Sequence, residues 1–73
     1  MIEVELDVRG LPPPEPFLNI TQSLQTLADH AALRVVIHRE PYPLYQVLGE
    51  TGYTWQTTAM PDGNYEILIR RQK

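Results

Sequence analysis

Ile2, Val4, Leu6 and Val8 alternate with Glu3, Glu5, Asp7 and Arg9. An apolar–polar period of two marks a strand with one buried face. The period then changes. Phe17, Ile20, Leu24 and Leu27 recur at helical spacing, which predicts a helix from about Pro14 to Asp29 with Asn19, Thr21, Gln22, Ser23 and Gln25 on its wet side. Leu33, Val35 and Ile37 predict a second strand, with Val36 on its other face between Arg34 and His38. Leu44, Val47 and Leu48 give a short helical stripe that closes near Gly49 to Gly52, where glycine suits a C-terminal cap. Tyr53, Trp55, Thr57 and Ala59 alternate with Thr54, Gln56 and Thr58 in a third strand of strong β-formers. Pro61-Asp62-Gly63-Asn64 is a turn, and Tyr65, Ile67 and Ile69 mark a fourth strand.

The order is β-α-β-α-β-β. Strand–helix–strand units favour parallel pairing with right-handed crossovers, and the last two strands read as an antiparallel hairpin. Two helices cannot cover both faces of such a sheet. The expected fold is therefore α/β in the broad sense, an α+β two-layer sandwich. It has a mixed four-stranded sheet, two helices on one face and the other face open. The expected core is Val4, Leu6, Phe17, Ile20, Leu24, Leu27, Val35, Ile37, Leu48, Trp55, Ile67 and Ile69.

Length and charge narrow the function classes. The chain has 73 residues, which reads as a single domain over 1–73. Nine acidic and six basic side chains give a net charge of −3, which argues against a nucleic-acid partner. Arg70, Arg71 and Lys73 cluster at the C-terminus and read as a solubilising end. The absence of cysteine excludes disulfides, thiolate metal sites and persulfide carriage, and fits a cytoplasmic protein. No apolar run approaches a membrane span, and Met1 leads directly into a strand pattern, not a signal peptide.

Candidate chemistry gathers at two proline-rich corners. Leu11-Pro12-Pro13-Pro14-Glu15-Pro16 follows the first strand, and Pro41-Tyr42-Pro43 follows the second. Prolines fix φ and remove N–H donors, so both corners are stiff. If the first two strands are parallel, their C-terminal ends share one edge, where ligands of open α/β sheets bind. That edge collects Asp7, Arg9, Pro12 and Pro13 with His38, Arg39, Glu40 and Tyr42, which form the candidate ligand- or partner-binding set. Arg9 and Arg39 can hold an anion, or they can simply pair with Asp7 and Glu40. The helix N-terminus offers an anion less than usual, since Pro12, Pro13, Pro14 and Pro16 supply no N–H. His30 and His38 lack metal-ligand spacing, and no serine or cysteine nucleophile sits at a recognisable elbow. Tyr42 and Tyr45 flank Pro43 as either a low-entropy binding surface or plain packing.

The first corner resembles a known signature. Leu6-Asp7-x-x-Gly10-Leu11-x-Pro13-Pro14-x-Pro16 is similar to the Leu-Asp-x-x-Gly-Leu-x-Cys-Pro-x-Pro pattern of the TusA/SirA-like sulfur-carrier family, and the likeness extends over nearly the whole chain. The family's sulfur-carrying cysteine falls at Pro13. The triple proline and the second corner look more like a cysteine-less branch, a domain of unknown function with a Leu-Pro-Pro-Pro-Glu corner and a later Asp-His-x-Pro-x-Pro-Leu motif. Here the later motif reads His38-Arg39-Glu40-Pro41-Tyr42-Pro43-Leu44, so Arg39 stands where the branch has its histidine. The resemblance implies the same two-layer architecture. It also implies a family activity, passage of a cysteine persulfide between proteins, that Pro13 cannot perform. The expected function is a small non-enzymatic binding or adaptor domain with a protein partner and no cofactor. The alternative is a sensor of a small anionic ligand, metal or haem at the same edge.

Overall fold

The structure is a computed structural model that describes residues 2–72, so Met1 and Lys73 of the predicted basic tail lie outside the described residues. Six elements follow in the expected order: β1 (Ile2–Asp7), α1 (Glu15–Gln25), β2 (Ala31–Ile37), α2 (Tyr42–Glu50), β3 (Tyr53–Ala59) and β4 (Tyr65–Arg71). The strands form one sheet in the order β1-β2-β4-β3. β1 runs parallel to β2, with Val4 beside Leu33 and Leu6 beside Val35. β4 is antiparallel to both its neighbours, with Val35 beside Ile67 and Trp55 beside Ile69. This is the mixed four-stranded sheet that the order of elements predicted.

Both helices lie on one face. Leu33, Val35 and Ile37 alternate along β2, so they share a face, and they join Ile67 and Ile69 of β4 in one cluster with Ile20 and Leu24 of α1 and Leu44 and Leu48 of α2. The opposite face carries Arg34, which reaches Glu3 (2.8 Å), Glu5 (3.3 Å) and Glu66 (3.5 Å) across three strands. These pairs are solvent-facing and hold the open face by geometry more than by energy.

Three expectations need correction. Val4 does not belong to the core, being 45% exposed. α1 packs chiefly over β2 and α2 over β3, which leaves the first half of the outer strand β1, with Ile2 and Val4, without a roof. Leu6, Phe17 and Trp55 are half-buried and pack against the core from its margin. Val8, Leu33 and Leu44 are the buried residues that take their place. Secondly, α1 ends at Gln25, four residues early. Thr26 donates both its N–H (3.3 Å) and its hydroxyl (3.2 Å) to the Ser23 carbonyl, and Leu27 donates to Leu24 (3.3 Å), so the chain tightens there. Leu27 remains buried in that tail, which is why the apolar period outlasts the helix. Thirdly, Arg71 does more than solubilise. Arg71 pairs with Asp29 (3.1 Å) and lies 5.4 Å from the Tyr53 ring centre, fastening the end of β4 to the turn before β2.

Candidate functional site

The two proline corners meet and enclose an open cavity of about 360 Å³. Each corner places its prolines by the same local logic. β1 and β2 run parallel, so both chains leave the sheet at one edge and turn back into helices that start with a proline at the second position, Pro16 in α1 and Pro43 in α2. Gly10, at φ +80°, lets the first chain turn out of β1. Its N–H donates to His38 Nδ1 (3.3 Å), which ties the first corner to the second.

The cavity walls are apolar: Leu11, Pro13, Phe17, Ile37 and Leu44 contribute, together with further prolines of both corners. His38, Arg39, Glu40 and Tyr42 add the polar groups. The helix N-termini add little. The Glu15 N–H is taken by the Pro12 carbonyl (2.9 Å), and Pro16 has none. At α2 the Tyr42 N–H goes to Glu40 O (3.1 Å), Pro43 has none and the Leu44 N–H goes to Pro41 O (3.0 Å). A helix start binds anions through free N–H groups, and here the prolines and the turns take most of them, leaving the Phe17 N–H of α1 without a backbone partner among the described residues. The cavity is built for apolar contact.

Glu40 is the best-anchored polar group. Tyr42 Oη donates to Glu40 Oε1 (3.0 Å) and Tyr45 Oη to Oε2 (3.0 Å). The Tyr45 hydroxyl has one proton, so the 2.6 Å contact with Thr57 Oγ1 is a bond donated by Thr57. The Tyr45 ring stacks on Trp55 at 5.3 Å and 9°, and meets Tyr42 edge-on at 6.0 Å. The hydrogen bond to the Glu40 carboxylate raises the Tyr42 hydroxyl above its ordinary pKa. For Tyr45, burial is the larger cause of the upward shift, with Glu40 adding to it. Tyr42 itself is 68% exposed and stands at the mouth.

Of the eight predicted site residues, Pro13, His38, Arg39, Glu40 and Tyr42 line the cavity, while Asp7, Arg9 and Pro12 lie outside its lining. Asp7 and Arg9 close on each other in a two-pronged pair, Nε to Oδ1 at 2.9 Å and Nη2 to Oδ2 at 2.7 Å. The guanidinium hydrogen bond holds the Asp7 carboxyl down to about 2. Glu40 makes no ion pair with Arg39 among the described residues; its oxygens go to the tyrosines. The two arginines therefore do not converge on one anion. The histidines also part. β2 lies between His30 and His38, a separation of roughly 26 Å at the rise of a strand. With Nδ1 accepting from Gly10, neutral His38 carries its proton on Nε2 and offers a donor at the cavity. Sequence reasoning missed Leu11, Phe17, Ile37 and Leu44 as cavity walls, because apolar residues at helical or strand spacing are assigned to the core by default. Their position next to the proline corners was the available signal.

A two-layer sheet with paired strand-to-helix corners at one edge is the fold of SirA-like proteins. A SirA-like protein from Desulfitobacterium hafniense of known crystal structure superposes with a TM-score of 0.80 at 20% identity, covering 100% of each chain. At that identity the likeness concerns the fold. The chain belongs to the family described as an uncharacterized conserved protein, DUF2249, whose sequence profile matches residues 5–71. No curated protein matches it.

Proposed function

We propose that the chain is a non-enzymatic docking domain whose cavity receives an apolar segment of a partner protein. One observation carries the reading: two proline corners, far apart in sequence, close around one apolar cavity of about 360 Å³. Walls with fixed φ lose little freedom when a partner seats on them, so contact there costs less entropy than on a mobile loop. The rim supplies a donor at His38, a cation at Arg39 and the exposed ring of Tyr42, groups suited to fixing the orientation of a bound peptide. Sulfur carriers of similar fold pass persulfide between proteins at the first corner. Pro13 removes the sulfur chemistry, and on the present reading the corner serves for docking alone.

The volume also lies within the range of small-molecule pockets, which favours a small apolar ligand as the second reading. Two measurements separate them. Native mass spectrometry of gently purified protein gives an added mass, lost on denaturation, only in the second case. A photo-crosslinking residue at position 42 gives a discrete protein adduct in the first, absent when the crosslinker sits at exposed position 22 on α1 and reduced by Arg39→Glu. Neither an added mass nor a position-specific adduct would overturn both readings.

A further inference from the structure

The sheet has two free edges, and they are built differently. β1 carries Glu3, Glu5 and Asp7 among six residues. Charges along an edge are a common means of keeping other strands away. β3 reads Tyr53-Thr54-Trp55-Gln56-Thr57-Thr58-Ala59, with no charge and no proline over seven residues. Its register with β4 runs unbroken from Tyr53 beside Arg71 to Ala59 beside Tyr65, so no bulge turns the edge aside. Its β-branched and aromatic residues, Tyr53, Thr54, Trp55, Thr57 and Thr58, favour an extended chain.

The backbone on that side is also presented. Met60 donates its N–H to Asn64 O (2.8 Å) and Gln72 donates to Gly52 O (2.8 Å). Alternation in the antiparallel ladder then directs the N–H and C=O of Thr54, Gln56 and Thr58 toward β4, and those of Tyr53, Trp55, Thr57 and Ala59 outward. Those outward groups have no protein partner among the described residues.

We propose that the β3 edge pairs antiparallel with β3 of a second copy of this chain, joining two sheets into one across a two-fold axis at Gln56. A second copy fits where a generic strand has no special claim, because the sequence is complementary to itself in that register. Thr54 meets Thr58, Trp55 meets Thr57, Tyr53 meets Ala59 and Gln56 meets itself. No like charges oppose, and hydroxyl and amide pairs face each other on the open side. Self-pairing of β1 would instead set Glu3 and Asp7 against each other, or Glu3 against Glu5. An isologous contact of this kind closes on itself and stops at two copies, since the other edge of each sheet is the charged one.

The test uses the register. Sedimentation of the wild-type chain over a concentration series is expected to approach twice 8.4 kDa. Gln56 is exposed on the open face, so Gln56→Lys and Gln56→Glu should fold with unchanged circular dichroism. Each alone puts like charges at the axis and is expected to remain a monomer, while an equimolar mixture regains the dimer. Gln22→Lys, on the wet side of α1, should leave the dimer intact. A wild-type monomer at every concentration, a dimer indifferent to both Gln56 variants, or a mixture that fails to recover would each overturn the proposal.

Discussion

The Tyr45 hydroxyl is the joint between the cavity rim and the sheet, and Tyr45→Phe removes that atom alone. The ring stays: its stack on Trp55 at 5.3 Å and its edge contact with Tyr42 at 6.0 Å do not involve the oxygen. Two hydrogen bonds go, one to Glu40 Oε2 and one from Thr57 Oγ1. A bond to a carboxylate contributes more than a neutral one, but Glu40 and Thr57 are both half-buried and water can replace part of what is lost. The expected cost is about 1–1.5 kcal/mol, below the roughly 2–4.5 kcal/mol of two such bonds without replacement by water. In a domain of this size that is a fall in Tm of roughly 4–12 °C. Thermal denaturation followed by circular dichroism reads it, and Trp55, the single tryptophan, reports through its emission whether the ring has stayed in place. Thr57→Val should lose part of the same energy, and the double variant should lose less than the sum, since both changes delete one shared bond. The sign of the pH dependence follows from the same environment. The folded Tyr45 pKa lies above its ordinary value, so its contribution is complete below about pH 10 and is lost as the pH rises through the folded pKa. Tyr45→Phe should therefore flatten the alkaline limb of the stability curve. A melting shift below about 1 °C, or strict additivity with Thr57→Val, would refute the network.

Other consequences follow from burial and local geometry. Leu48→Ala should cost about 2–5 kcal/mol, whereas Val4→Ala should stay within about 0.5 kcal/mol, and equal losses in urea denaturation would contradict the unroofed first half of β1. Gly10→Ala meets no atom within 4 Å but imposes a side chain at φ +80°, so a loss of about 1–2 kcal/mol is expected from backbone strain alone; a neutral substitution would mean that the corner has another conformation. The Asp7 carboxyl, held down to about 2 by Arg9, favours the fold above its ordinary pKa, and that contribution is lost as the pH falls from about 4 toward 2. NMR titration should show Arg9→Ala raising its midpoint only part of the way to the ordinary range, since the backbone N–H at position 9 still donates to Asp7, and a normal midpoint in the wild type would exclude the pair.

The sequence alone determined the elements and their pairing sense. Alternation at Ile2 to Val8 and at Tyr65 to Ile69, the helical stripe from Phe17 to Leu24 and the prolines between them are local signals, and local backbone preference answers to them directly. The edge holding both corners was legible for the same reason, since a parallel β1–β2 pair brings both strand ends to one side. Tertiary structure decided which of those groups meet. Arg9 carries the same charge as Arg39, yet it turns to Asp7 two residues away, because a short chain loop makes that pair before any distant one. Glu40 takes two tyrosine hydroxyls from α2 instead of an arginine, a choice fixed by where the helix sets its first turn. Val4 shows the same limit in the core. Its period assigns it a face, but whether that face is roofed depends on where α1 and α2 come to rest, and that is settled by packing across the whole sheet.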